Sequence, residues 1–211
     1  MKRPFNAWWQ GAPYYVPVLA VGVLLLLLGR GSWVSWTGGL AAFLGLYIVF
    51  FFRDPARATT AADNEVVSPA DGVIVGIDRL ENSPHYDGPC IRVSIFLSIF
   101  NVHVNRAPFA CTVRKIDYKP GQFLNAMDPA SSERNESNTV RLDTPAGPMT
   151  VRQISGLIAR RIVCATSVGD TLAKGEKFGM IKFGSRTELF LPPSAEVTVA
   201  MRAKVRAGST R

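Results

Sequence analysis

Histidine is nearly absent from this chain: its 211 residues contain two, His85 and His103. Two histidines with no His-x-His pair cannot furnish the ligand set of a zinc endopeptidase. Cysteine is almost as scarce. Cys90, Cys111 and Cys164 are odd in number, scattered, and include no Cys-x-x-Cys, so neither a disulfide framework nor a bound metal is expected. Reduced, mostly buried thiols in a cytosolic compartment are the reading that remains. A formal charge of +8 suits nucleic acid or an anionic membrane surface. No basic run interleaved with aromatics, no helix-turn-helix and no zinc-finger spacing occurs, which excludes nucleic acid as partner. Internal repeats are lacking too.

What the chain does have is an apolar N-terminal region. Met1-Lys2-Arg3 opens a basic tail, Trp8, Trp9, Tyr14 and Tyr15 follow, and apolar runs extend over Val16–Leu28 and Trp33–Phe52. The second run has about the 20 residues that a bilayer core requires. A cleaved signal peptide explains the first run and leaves the second unexplained. A membrane helical hairpin at about residues 13–52 explains both. Lys2, Arg3, Arg53 and Arg57 at its ends outweigh Arg30 in its turn, so the positive-inside rule puts the remainder in the cytoplasm, on the cell (inner) membrane. With such an anchor, acidic lipid headgroups are the natural partner for the positive charge.

From residue 58 to 211 the pattern is that of a mainly β domain, sandwich- or barrel-like, with a few short helices; residues 1–57 form the anchoring unit. Ser68-Pro69-Ala70-Asp71-Gly72 reads as a turn leading into the alternating Val73–Ile77. Further strands are expected at 91–96, 112–118, 139–142 and 149–154. Gln122–Asn138 is polar and reads as a long loop with one helical turn, and loops of that length usually carry function or are disordered. Arg202–Arg211 reads as a frayed basic tail.

Two strand-like runs meet at Gly184-Ser185, with no ordinary turn signal around them. One reading is a glycine kink or bulge in a strand. The other is chemical. Glycine admits a strained backbone, and the serine hydroxyl can attack the preceding carbonyl. The resulting ester can eliminate to a dehydroalanine that hydrolyses to a pyruvoyl group, an electron sink for amine substrates. His85, among Asn82, Ser83, Pro84 and Gly88, reads as an exposed loop residue. His103 reads either as a satisfied structural histidine or as an acid–base group, and Asp71 taken alone is a turn aspartate. Phe100, Phe109 and Phe123 read equally as core or as the lining for an acyl chain.

Five blocks occur in the order seen in phosphatidylserine decarboxylases: Ser68–Gly72, Leu97 through His103 to Pro108, Gly121 through Phe123 to Ala126, Gln153–Cys164, and Phe183-Gly184-Ser185. From about Arg53 onward the chain resembles the short-form, pyruvoyl-dependent branch of that family. The resemblance implies self-cleavage between Gly184 and Ser185, a β chain of residues 1–184, and an α chain headed by a pyruvoyl group made from Ser185. It implies decarboxylation of phosphatidylserine to phosphatidylethanolamine through a Schiff base on that group, with catalytic roles for Ser185, His103 and Asp71. A homodimer is compatible with it. Long forms carry a second histidine three positions after the first; here that place is Arg106. Whether His103 serves both self-cleavage and decarboxylation is thereby left open.

A reading of another class is a membrane-tethered carrier or binding module of the lipoyl type, from the Gly169-Asp170 to Gly179 segment. It requires a modifiable lysine at an exposed hairpin tip, whereas Lys174 and Lys177 lie beside the glycine turns.

Overall fold

The computed structural model describes residues 5–125, 128, 131–157, 161–182 and 185–211. The chain divides into two compact units, one ending at Pro55 and the other spanning Ala56–Arg211.

The first unit is a pair of helices, α1 (Ala7–Gly29) and α2 (Trp33–Phe51). Asn6 caps α1 by accepting the Trp8 N–H, which starts the helix six residues before Pro13. Ser32 caps α2 in the same way, and Arg30, with φ of 40°, makes the left-handed turn between them. Most large apolar side chains point outward: Leu27 is 72% and Phe43 67% exposed. Glycines face the partner helix instead. A Cβ on Gly22 would lie 2.6 Å from the Ala42 backbone nitrogen, so only glycine permits this approach. Small residues between helices and greasy ones outside are the packing of helices in lipid. Both helices are long and apolar enough to cross a membrane.

The second unit is mainly β. Its elements are β1 (Gly72–Leu80), β2 (Cys90–Leu97), β3 (Val104–Arg106), β4 (Cys111–Lys119), α3 (Ser131–Arg134), β5 (Ser137–Thr144), β6 (Gly147–Ser155), β7 (Arg161–Cys164), β8 (Thr171–Leu172), β9 (Lys177–Lys182), β10 (Ser185–Leu191) and β11 (Lys204–Val205). An eight-stranded sheet in the order β11-β1-β2-β10-β6-β5-β4-β8 curls into a half-barrel, and β3-β9-β7 form a small second sheet. Register shifts at Ile74/Gly76 and Val113/Lys115 are bulges of the kind that bend a sheet. Alternation builds the core: Ile91, Val93, Ile95 and Leu97 of β2 meet Leu189 and Leu191 of β10 and Val151 of β6 on the inner face. Phe109 joins this core at 5% exposure, whereas Phe100 is 65% and Phe123 37% exposed.

The C-terminal segment is not a frayed tail. Lys204–Val205 pairs with β1, the Gly208 N–H donates to the Ser68 carbonyl, and the Ser68 N–H donates to the Thr210 carbonyl. Val205 and Ala207 are buried between exposed Lys204 and Arg206. The basic composition conceals a period-two pattern.

Candidate active site

Three neighbouring strands of the large sheet, β2, β10 and β6, continue into the three strands of the small one, β3, β9 and β7. Ser185 opens β10 and is paired with Leu97 at the end of β2 and with Ser155 at the end of β6. On the other side Val104 pairs with Met180, and Arg161 pairs with Lys182. The ends of the two sheets therefore face one another in the same strand order, with the short step from Lys182 to Ser185 between the other two connections in sequence pairing. Gly184, on the N-terminal side of the expected cleavage bond, and Phe183 lie outside the described residues.

Ser185 is wholly buried, and its Oγ finds no hydrogen-bond partner among the described residues. His103 belongs to the flanking crossover. It too is wholly buried, and its carbonyl accepts the Ile181 N–H at 3.2 Å. Its Nδ1 lies 3.0 Å from the Asn101 carbonyl oxygen. A carbonyl only accepts, so Nδ1 carries the hydrogen and Nε2 is the basic nitrogen of the neutral ring. Asn101 also accepts the Ser98 N–H and hydroxyl at 2.8 and 2.7 Å, locking the 98–103 turn that carries the histidine.

Asp71 sits one strand away, on a cavity of about 580 Å³ that it shares with Ser98, Phe100, Asn101, Lys204 and Arg206. Its Oδ2 is 2.7 Å from the Arg57 guanidinium and its Oδ1 accepts the Ala207 N–H at 2.8 Å. Sequence reasoning did not find Arg57 in this role, since it appears there only as a flank of the apolar region. Arg106, which stands where long forms have a second histidine, is buried and donates to the Gly175 carbonyl at 2.9 Å.

A buried polar chain underlies Ser185 and was also not legible in the sequence. Asn138 donates to Gln153, Gln153 to Asn105, and Asn105 to Thr187, at 2.9, 2.9 and 3.1 Å. It joins β5, β6, β3 and β10 and holds the small sheet over the large one. Asn105→Leu keeps the branched outline of the side chain but strands the Gln153 amide and the Thr187 hydroxyl, at about 1–3 kcal/mol each. A melting temperature lower by about 2–4 °C per kcal/mol is expected. An unchanged thermal transition would show that the chain does not couple the sheets.

On the opposite face of β10, Arg152 and Glu188 form a buried pair at 3.3 Å. Ser132 of α3 donates to Glu188 at 2.7 Å and accepts from Arg186 at 2.8 Å, seating α3 on that face. His85 is half-buried rather than exposed, its ring 5.9 Å from that of Phe190. Burial, helped by nearby Arg152, lowers its pKa to about 4, so it stays neutral at neutral pH. Cys90, Cys111 and Cys164 are free thiols, and burial pushes Cys111 up to about 11. Lys174 is no hairpin tip: its ammonium donates to the Asp63 carbonyl at 3.1 Å and lies 4.4 Å from the Phe109 ring centroid.

The sequence model of the phosphatidylserine decarboxylase family matches residues 44–211. A phosphatidylserine decarboxylase proenzyme of Magnetococcus marinus is 44% identical over 207 residues, covering 96% of this chain and 92% of its own. Proenzymes of Syntrophus aciditrophicus (42% identical; 95% and 93% covered) and Carboxydothermus hydrogenoformans (43%; 100% and 97%) are similarly close. The chain belongs to the phosphatidylserine decarboxylase family.

Proposed function

We propose that this protein decarboxylates phosphatidylserine to phosphatidylethanolamine after cutting its own chain between Gly184 and Ser185. The observation that carries the reading is the Ser185 hydroxyl, buried without a partner among the described residues at the start of β10, between the end of β2 and the end of β6. Leaving a buried hydroxyl unpaired costs about 1–3 kcal/mol. That cost is understandable where the hydroxyl's partner is a reacting carbonyl. Attack of Oγ on the Gly184 carbonyl turns the peptide bond into an ester. Elimination releases the Gly184 carboxylate and leaves a dehydroalanine at residue 185, and water then converts this to a terminal pyruvoyl group with loss of ammonia. The site suits that group because it is made from Ser185 in place, and its ketone supplies the electron sink for decarboxylation.

His103 is the acid–base group. Its Nε2 takes the Ser185 proton during cleavage and later returns a proton to the substrate carbon that has lost its carboxyl. The bond from Nδ1 to Asn101 holds the ring in the tautomer this needs. Asp71 is a positioning residue: with Arg57 and the Ala207 N–H it fixes the wall of the cavity next to the 98–101 turn. Asp71→Asn is expected to slow self-cleavage and to lower stability. Removing one partner of a buried ion pair typically costs about 3–5 kcal/mol, with the isosteric amide toward the lower end. The ratio of intact to cleaved chain on a denaturing gel, read beside the melting temperature, checks this. Normal processing with a lowered melting temperature would leave Asp71 a purely structural part.

The apolar helix pair anchors the protein in the cell (inner) membrane, with Ala56–Arg211 on the cytoplasmic side by the excess of basic residues at the helix ends. A domain shielded from protease added on the cytoplasmic side would overturn that orientation. For the chemistry, purified protein reduced with borohydride in the presence of phosphatidylserine should carry the trapped lipid on the short C-terminal fragment. Trapping on an internal lysine of an intact chain, or decarboxylation by an uncleaved chain, would defeat the proposal.

A further inference from the structure

We infer that the crossover end of the large sheet docks onto an anionic bilayer interface, with Phe100 and Leu157 dipping among the lipids. The inference rests on the phospholipid substrate proposed above and names the surface through which that substrate arrives. A diacyl phospholipid keeps its chains in the bilayer, because bringing each methylene into water is unfavourable. The Lys182–Ser185 junction must therefore be brought to the lipid.

The distribution of exposed apolar side chains identifies the face that meets it. Among the described residues beyond Ala56, the large hydrophobics left exposed are Phe100, Tyr118, Phe123, Leu157, Val168 and Met201. Four of these six gather at the crossover end. Phe100, 65% exposed, is on the turn that follows β2, and Leu157, 66% exposed, follows β6; these crossovers border the junction on its two sides. Tyr118 ends β4 beside Asn138 of β5. Phe123 adjoins Leu124, which Asn135 clamps while donating to the Ser155 carbonyl. Exposed phenylalanine and leucine have no use for water at the rim of a buried reaction site, and aromatic side chains favour the headgroup level of a bilayer.

Charge supports an anionic surface as the occupant. Lys204 and Arg206 are exposed on the cavity that Phe100 shares, and Lys119 and Arg134 are exposed beside Tyr118 and α3. The exposed acids at this end, Asp128 and Glu133, are outnumbered by these cations. Basic side chains within a Debye length of anionic headgroups are drawn to them.

The test uses the full chain in vesicles containing anionic phospholipid. Cys90 and Cys111 are buried, so a Cys164→Ser background leaves a single reactive thiol in Phe100→Cys, Leu157→Cys or Ala146→Cys. Ala146 is exposed in the β5–β6 turn, at the far end of β6 from Ser155. Each variant is labelled with a thiol-reactive fluorophore, and doxyl-labelled phospholipid is added as quencher. Loss of emission is expected at positions 100 and 157 and none at 146, with a larger loss in anionic than in zwitterionic vesicles. No loss at 100 and 157, or an equal loss at 146, would overturn the docking face. Equal loss in both kinds of vesicle would overturn the anionic assignment. Emission that follows the protein-to-lipid ratio and ignores the quencher means that a second copy of the chain covers this face, which also refutes the proposal. None of these readings requires turnover. Quenching as expected in a protein that leaves phosphatidylserine unchanged would sink the proposed activity and keep the docking face.

Discussion

Ser185→Ala is expected to yield one uncut polypeptide with no pyruvoyl group and no decarboxylation. The substitution removes the only atom that can make the ester at Gly184, so the loss is complete rather than graded. A gel of the purified variant should show a single band, with an intact mass equal to that of the full chain. The structure adds an expectation about folding. The Ser185 Oγ makes no hydrogen bond among the described residues, so deleting it removes an unpaired buried group and breaks nothing. The variant should melt no lower than the uncleaved wild type, with a gain of up to about 1–3 kcal/mol. Cleavage persisting at Gly184 would rule out the serine mechanism. A clearly lower melting temperature would mean that the hydroxyl has a structural partner.

His103→Ala is expected to remain a single chain as well. His103 lies on the crossover beside the junction, its Nε2 is the basic nitrogen, and the other histidine, His85, packs against Phe190 on the opposite face of β10. No second histidine is available to take the Ser185 proton. His103 is wholly buried, so the alanine variant also leaves a cavity, and His103→Gln separates the two effects. Glutamine fills most of the space and can still donate to the Asn101 carbonyl, but it cannot act as a base near neutral pH. Both variants should stay uncut. If His103→Gln cleaves fully and turns over lipid about 10²–10⁴-fold more slowly, the histidine acts only as proton donor in decarboxylation. Full cleavage with wild-type turnover would remove it from the mechanism.

The boundary between what was legible and what was not follows the range of the interactions. Alternation along 73–77, 91–96 and 139–142 announces strands because each residue's side is set by the pleat. The expected helical turn in the long polar segment is α3, although β5 begins inside that segment at Ser137, two residues before the apolar alternation shows it. The basic C-terminal segment was misread because its exposed charges, Lys204 and Arg206, alternate with only two buried apolar residues, Val205 and Ala207. His85 was misread because its polar neighbours describe a loop, while its burial comes from Phe190, a residue far along the chain.

By itself the sequence determined the apolar helix pair and the mainly β character of the rest, and it supplied the proposed reacting groups: a serine hydroxyl after glycine and one histidine set among apolar residues. These depend on residue type and short periods, which neighbours along the chain decide. The tertiary structure alone decided that Leu97, Ser185 and Ser155 end side by side and that the three strands beyond them bend together into a second sheet. It also decided that Asp71 is held by Arg57 and Ala207, and that Asn138, Gln153, Asn105 and Thr187 form one chain. Each is a pairing between distant segments, where an unpaired buried polar group would cost more than local propensity can offset. Only the folded arrangement that satisfies them all at once reveals which residue meets which.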